Sequence, residues 1–306
     1  MNVSVIMSTY KESESFLRLS IESILDQSYR DFEFIIVLDN PENILHKKII
    51  SEYMKKDKRI RFYENKINIG LTKSLNKAIS YAKGEYIARM DADDISLKKR
   101  LELQYRYLTQ YNYDLIGGIT QMIDEDGTTI YSIKKIPTDL KKIKKVLKYG
   151  QCIAHPTWFG KREIFNELNG YREIPLCEDY DFTLRAVMKN YKISNLNETV
   201  LKYRMTSNSI SRSNLYTQFL YMKYITKNYS NGKSTLISDA HQYVKENTSD
   251  KKAKNYLKAN VIFNRMLVKL EQKKLISFFK DGIQLLFTSK AYLNKVYRFI
   301  MLAIYS

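Results

Sequence analysis

The run Tyr86-Ile87-Ala88-Arg89-Met90-Asp91-Ala92-Asp93-Asp94 places three carboxylates directly after a stretch that reads as a β-strand. A new helix is expected near Leu97. Parallel α/β sheets bind ligands beyond the carboxyl ends of their strands. Asp91 and Asp93, one residue apart, can converge on a hard dication such as Mg2+ or Mn2+. Such ions take oxygen ligands and commonly bridge one or two carboxylates to a diphosphate. Bound there, the ion neutralises charge on a departing nucleoside diphosphate. The plain alternative is a turn in which Asp93, Asp94 and Ser96 cap the next helix. Their place after a strand favours the metal site.

Three further segments carry weaker signals. Val3–Glu12 is a strand with an exit loop, Ser8-Thr9-Tyr10-Lys11-Glu12, whose small hydroxyl residues let a ligand approach the backbone. A second strand ends in Leu38-Asp39-Asn40-Pro41, where a carboxylate could accept the imide N–H of a uracil or simply shape a turn. In Glu178-Asp179-Tyr180-Asp181-Phe182-Thr183-Leu184-Arg185, acidic residues open a helical stretch. They read either as charge stabilised by the helix dipole or as a general base for an attacking hydroxyl. His155, between two apolar stretches, is either a hydrogen-bonded structural residue or part of the cleft lining. Trp158, the single tryptophan, either stacks on a sugar ring or packs in the core. Neither the dinucleotide-binding glycine fingerprint nor a phosphate-cradling loop occurs.

These segments need a scaffold that brings strand ends together. Val3–Met7, Phe32–Val37, Arg59–Tyr63 and Glu85–Arg89 have strand length and content. Ser15–Leu25, Ile44–Met54 and Leu71–Ala82 space apolar residues as helices do. The alternation predicts a mostly parallel sheet covered on both faces. Beyond about Leu215 strand signals fade into basic, aromatic helical patterns, Tyr256–Leu270, Leu275–Leu286 and Tyr292–Tyr305. The division expected is 1–212 and 213–306.

Together the motifs resemble the family-2 glycosyltransferases with the GT-A fold, particularly bacterial enzymes that build capsule, lipopolysaccharide or wall glycans. The resemblance covers roughly residues 2 to 211. It rests on Val3–Glu12, Phe32–Asn40, the run from Asn68 through Gly84-Glu85 to Asp94, and Glu178-Asp179 with Arg185. It implies a GT-A fold, a Rossmann-like, mostly parallel α/β sheet flanked by helices, with a C-terminal helical region. It also implies an inverting transfer from a nucleotide-sugar donor, a UDP-hexose or UDP-N-acetylhexosamine, to a glycan acceptor. Thr9, Tyr10 and Glu12 would line the nucleotide pocket, with Asp39 on the uracil. Lys73 and Arg89 would lie near the donor phosphates or sugar. Asp91 and Asp93 would hold the metal, Asp93 more directly. Asp179 would be the base, with Glu178 beside it, and His155 and Trp158 would fall on the acceptor side. The chain departs from the family pattern at Leu38-Asp39-Asn40-Pro41, where many members have two Asp. It departs again at Tyr203-Arg204-Met205-Thr206, where Thr206 stands in place of a frequent His.

Composition bounds these readings. In 306 residues 44% are hydrophobic and Gly and Pro are scarce, which excludes fibrous and disordered classes. Cys152 and Cys177 form no metal pattern, and a reduced, cytoplasmic compartment is expected. No window reaches the roughly 18 apolar residues of a membrane span. The formal net charge of +18 attracts polyanions. A polyprenyl-diphosphate-linked acceptor or an anionic membrane surface against residues 213–306 would use that charge; a solvated bundle or an oligomer contact would not. No nucleic-acid partner is expected. Two alternatives remain. A sugar-phosphate nucleotidyltransferase expects a Gly-rich, Arg-containing loop after the first strand. A non-catalytic polyanion- or membrane-binding protein expects no dependence on dication or nucleotide sugar.

Overall fold

The computed structural model describes residues 2–206 and 214–305. Its contacts divide the chain into two compact units: 1–144, 151–173 and 178–206 in one, 145–150, 174–177 and 207–306 in the other. The boundary expected at 212/213 falls outside the described residues.

In the first unit a nine-stranded sheet carries the chemistry. Strands β1 (Val3–Thr9), β2 (Phe32–Leu38), β3 (Ile60–Glu64) and β4 (Tyr86–Asp91) pair in parallel in the order β3-β2-β1-β4. Helices α1 (Glu14–Leu25), α2 (Ile44–Lys56) and α3 (Leu71–Tyr81) make the crossovers. All seven residues of β2 are buried, and β1 is nearly so, as expected of strands covered on both faces. α1 starts where Ser13 Oγ accepts the Phe16 N–H at 3.3 Å, and it turns Leu17, Ile21 and Ile24 into the core. Gly84 is required by close packing: a Cβ there would lie 2.7 Å from the Ser4 nitrogen.

Beyond β4 the sheet becomes mixed. The helix expected near Leu97 begins later, as α4 (Arg100–Tyr111), because residues before it pair as the two-residue strand β5 (Ile95–Ser96). β5 lies antiparallel to β9 (Ile193–Arg204), and the Leu97 N–H donates to the Val200 carbonyl. β9 runs parallel to β6 (Leu115–Ile123), whose other edge meets β8 (Phe159–Lys161); β7 (Thr129–Ser132) flanks β6. Helix α5 (Leu140–Val146) falls across the boundary of the two units. Helices α6 (Arg162–Glu167) and α7 (Glu178–Met188) complete the first unit among the described residues.

The second unit is helical, with helices at Leu215–Ser230, Ile237–Asn247, Asp250–Glu271, Leu275–Thr288 and Lys290–Tyr305. Its core is aromatic: Tyr256 packs against Tyr216, Phe219 and Tyr292. Among the described residues no helix is long and apolar enough to cross a membrane.

Candidate active site

β1 is flanked by β2 on one side and β4 on the other, so the chain runs outward from β1 through β2 to β3 and then crosses back to the far side of β1 to form β4. The strand ends at such a switch point frame a crevice. Ser8 pairs with Asp91 at that edge, and Ser20 Oγ of α1 donates to the Asp91 carbonyl at 2.7 Å, fixing where β4 stops.

Asp91, Asp93 and Asp94 each present a carboxylate oxygen within 4.8 Å of the others. Such crowding opposes ionisation. Burial, then Asp91 and Glu12, push Asp93 up to about 7. Burial, then Asp91 and Asp93, hold Asp94 well above the ordinary aspartate range. Asp94 Oδ1 accepts the Arg204 N–H at 2.8 Å, while its buried Oδ2 has no hydrogen-bond partner among the described residues. An orphaned carboxylate oxygen beside two crowded carboxylates is a donor set that fits a hard dication.

Cations brace this loop from behind. Arg89, 2% exposed, forms a two-pronged ion pair with Asp91. Burial works against its charge, but Asp91 and the neighbouring acids outweigh it and keep its pKa raised. Arg204 donates through Nε to the Asp93 carbonyl at 2.9 Å and through Nη1 to the carbonyls of Asp124 and Glu125, and its guanidinium lies over the Phe16 ring. Arg100 donates to the Arg89 carbonyl at 2.6 Å; burial and then Arg89 lower it to about 9. The pattern Tyr203-Arg204 was available in the sequence, but its grip on the acidic loop spans more than a hundred residues and was not.

On the β1–β2 side, Thr9 is a buried linchpin. Its Oγ1 donates to Glu12 at 2.6 Å and lies 2.9 Å from His46 Nδ1, and His46 Nε2 is 2.8 Å from the Glu12 carbonyl. Thr9 therefore holds this loop from inside, while Tyr10, 40% exposed, and Lys11 are open to solvent. Asn40 and Asn43 clip the loop by donating to the Tyr10 carbonyl. Asp39 is 3% exposed and accepts from Asn65 Nδ2 and from the Ile69 and Gly70 N–H groups. It anchors the 65–70 loop to the end of β2. Lys73 pairs with Glu173 at 3.1 Å, with both side chains exposed.

The second acidic pair stands at the start of α7. Asp179 Oδ2 accepts from Gln151 Nε2 at 3.3 Å; the Gln151 amide is itself oriented, because its Oε1 accepts the Cys152 and Ile153 N–H groups. Burial raises Asp179, opposed by hydrogen bonds from Tyr180 and Gln151. Burial, then Asp179, push Glu178 up to about 7. Arg89 acts electrostatically on both acidic clusters. Asp181, one turn on, is neutralised by Arg172 and Arg185, and Arg185 also holds the Leu168 and Gly170 carbonyls. Arg185 is thus a brace for the turn before α7. His155 is buried and 2.9 Å from the Tyr171 hydroxyl; burial and then Arg89 hold its pKa well below the usual value, so it is neutral. Trp158 is 0% exposed, with its indole N–H on the Ile153 carbonyl and its ring against Tyr171 and Phe182. Of the two readings of Trp158, stacking on a sugar or packing in the core, its buried ring accords with the second. Gln151 and His46 were missed in the sequence, since neither sits in a recognisable pattern.

Fold and site together define an α/β enzyme whose crevice gathers carboxylates at a sheet switch point. The chain belongs to glycosyltransferase family 2: the pattern of Glycosyl transferase family 2 matches residues 4–168. It is 40% identical over 240 residues to an uncharacterised glycosyltransferase of Methanocaldococcus jannaschii, covering 78% of this chain and 83% of the relative. It is 36% identical over 216 residues to the O-antigen biosynthesis glycosyltransferase WbnJ of Escherichia coli, covering 70% and 83%. Two solved structures share the fold. One is S. aureus TarS in complex with UDP-GlcNAc, with a TM-score of 0.59, 20% identity and coverage of 80% and 71%. The other is the mannosyltransferase PcManGT from Pyrobaculum calidifontis in complex with GDP-Man and Mn2+, with a TM-score of 0.62, 15% identity and coverage of 99% and 86%. The GT-A architecture expected from the motifs, a mostly parallel sheet with C-terminal helices, is the one found.

Proposed function

We propose that this glycosyltransferase moves a hexose or N-acetylhexosamine from a UDP donor to a hydroxyl of a growing surface glycan, with inversion at the anomeric carbon. The observation that carries the reading is the acidic triad at the end of β4, with its orphaned Asp94 oxygen and its elevated Asp93. Asp93 and Asp91 would hold Mn2+ or Mg2+, with Asp94 Oδ2 at hand. When bound, the ion supplies neutralisation of the charge on the departing nucleoside diphosphate. Arg89 keeps Asp91 in place and adds positive potential beside the phosphates. Tyr10 and Glu12 form the nucleotide edge, and Thr9 holds Glu12 in position.

Asp179 takes the proton of the attacking hydroxyl, and its orientation comes from Gln151. One base opposite the leaving group suffices for a single displacement. Glu178, its carboxyl pushed up to about 7, can in its protonated form donate a hydrogen bond to a sugar hydroxyl. Residues 1–212 carry this chemistry and 213–306 the acceptor side, where a polyprenyl-diphosphate-linked glycan would be met at the cytoplasmic face of the membrane. The O-antigen role in the name of WbnJ supports a surface-glycan product. The UDP-GlcNAc held by TarS supports the donor class.

A donor-hydrolysis panel tests this reading. UDP-, GDP-, CDP- and dTDP-sugars are incubated with Mn2+, Mg2+ or EDTA, and released nucleotide is measured. The expected result is cleavage of a UDP-sugar only with dication. Cleavage that survives EDTA, or preference for a GDP-sugar, would overturn the metal or the base assignment respectively.

A further inference from the structure

The helix Leu275–Thr288 has two unlike faces. One is packed: Asp281 lies between Arg265 and Lys269 at 2.8 and 2.7 Å, and Leu285 is 4% exposed. The other is apolar and open to solvent: Ile276 is 89% exposed, Phe279 64%, Ile283 60%, Leu286 56% and Phe287 87%. At 3.6 residues per turn these five fall on one side. A protein that stays in water seldom leaves so many large apolar side chains contiguous.

The rim of this face is cationic. Lys280 borders it, and Lys273, Lys274 and Lys290 stand exposed at its two ends. From Asp250 onward twelve Lys and Arg face three Asp and Glu. We propose that this face docks in the plane of an anionic lipid surface, its Phe and Ile side chains at the acyl boundary and its lysines on headgroup phosphates. A second copy of the chain is the poorer occupant, because two like-charged rims would be brought together. The inference is independent of the donor chemistry, since it involves only the second unit.

The test is cosedimentation of the full chain with phosphatidylcholine vesicles, with and without phosphatidylglycerol, at low and high salt. Binding should require the anionic lipid and weaken with salt. Phe279→Ser with Phe287→Ser, and separately Lys280→Glu with Lys290→Glu, should each reduce binding about tenfold or more. All four side chains are exposed, and circular dichroism checks that both variants fold. Failure to pellet with anionic vesicles would overturn the proposal. So would a lipid-independent dimer in sedimentation velocity that the phenylalanine pair dissolves. Donor hydrolysis by the same variants, measured without vesicles, keeps this outcome separate from that of the transferase reading.

Discussion

Glu178 has a carboxyl whose surroundings oppose its charge, and this fixes a testable pH dependence. Its folded value, about 7, lies above the ordinary 4.5. The stability tied to its bound proton is therefore complete below the ordinary value and is lost as pH rises to about 7. Glu178→Gln should melt about 2–4 °C higher than the parent at pH 8, the shift that ~1 kcal/mol gives in a domain of this size, with no gain at pH 4.5. Gln151→Ala tests positioning. Its hydrogen bond lowers the Asp179 pKa, so its loss should move the acidic limb of the kcat profile to higher pH while KM for the donor changes little. Asp179→Asn should keep donor binding and lose transfer by about 10²–10⁴-fold. At this scale the short-range pattern singles out Asp91 and Asp93, whereas Glu178 and Asp179 stand out as more than a helix start only through the resemblance to the family. Asp39 and Trp158 were legible as residues of interest, yet their surroundings come from the 65–70 loop and from Tyr171 and Phe182, which no local spacing reveals.

At the scale of elements, β1 to β4 and their helices were readable because propensity, hydrophobic period and turn chemistry agree there. The misreading near Leu97 arose where tertiary pairing with β9 overrode local capping signals. β9 matters twice, since it also delivers Arg204 to the acidic loop. Arg204→Lys retains charge but cannot reach the Asp93 carbonyl and two further carbonyls at once. It should weaken Mn2+ affinity about 10–100-fold by calorimetry, the usual cost of disturbing the groups that orient metal ligands. Gly84→Ala forces a Cβ against the backbone of β1 and should cost about 1–3 kcal/mol in urea unfolding, with the damage passed along β4 toward Asp91.

For the whole molecule, the division into a sheet unit and a helical unit was visible as a change in texture. That 145–150 and 174–177 join the helical unit was not, because only long-range contacts assign them. The net charge of +18 alone could not separate a solvated surface from a docking surface; the exposed phenylalanines beside the lysines are the observation that supports the docking proposal. The central claim concerns three carboxylates and the dication they would share. Isothermal titration of UDP into the full chain, with Mn2+ and then with EDTA, tests it in the parent and in Asp93→Ala. Binding in the parent only with Mn2+, and none in the variant, is the predicted result. Equal UDP affinity in EDTA, or an Asp93→Ala chain that binds Mn2+ and UDP like the parent, would contradict it.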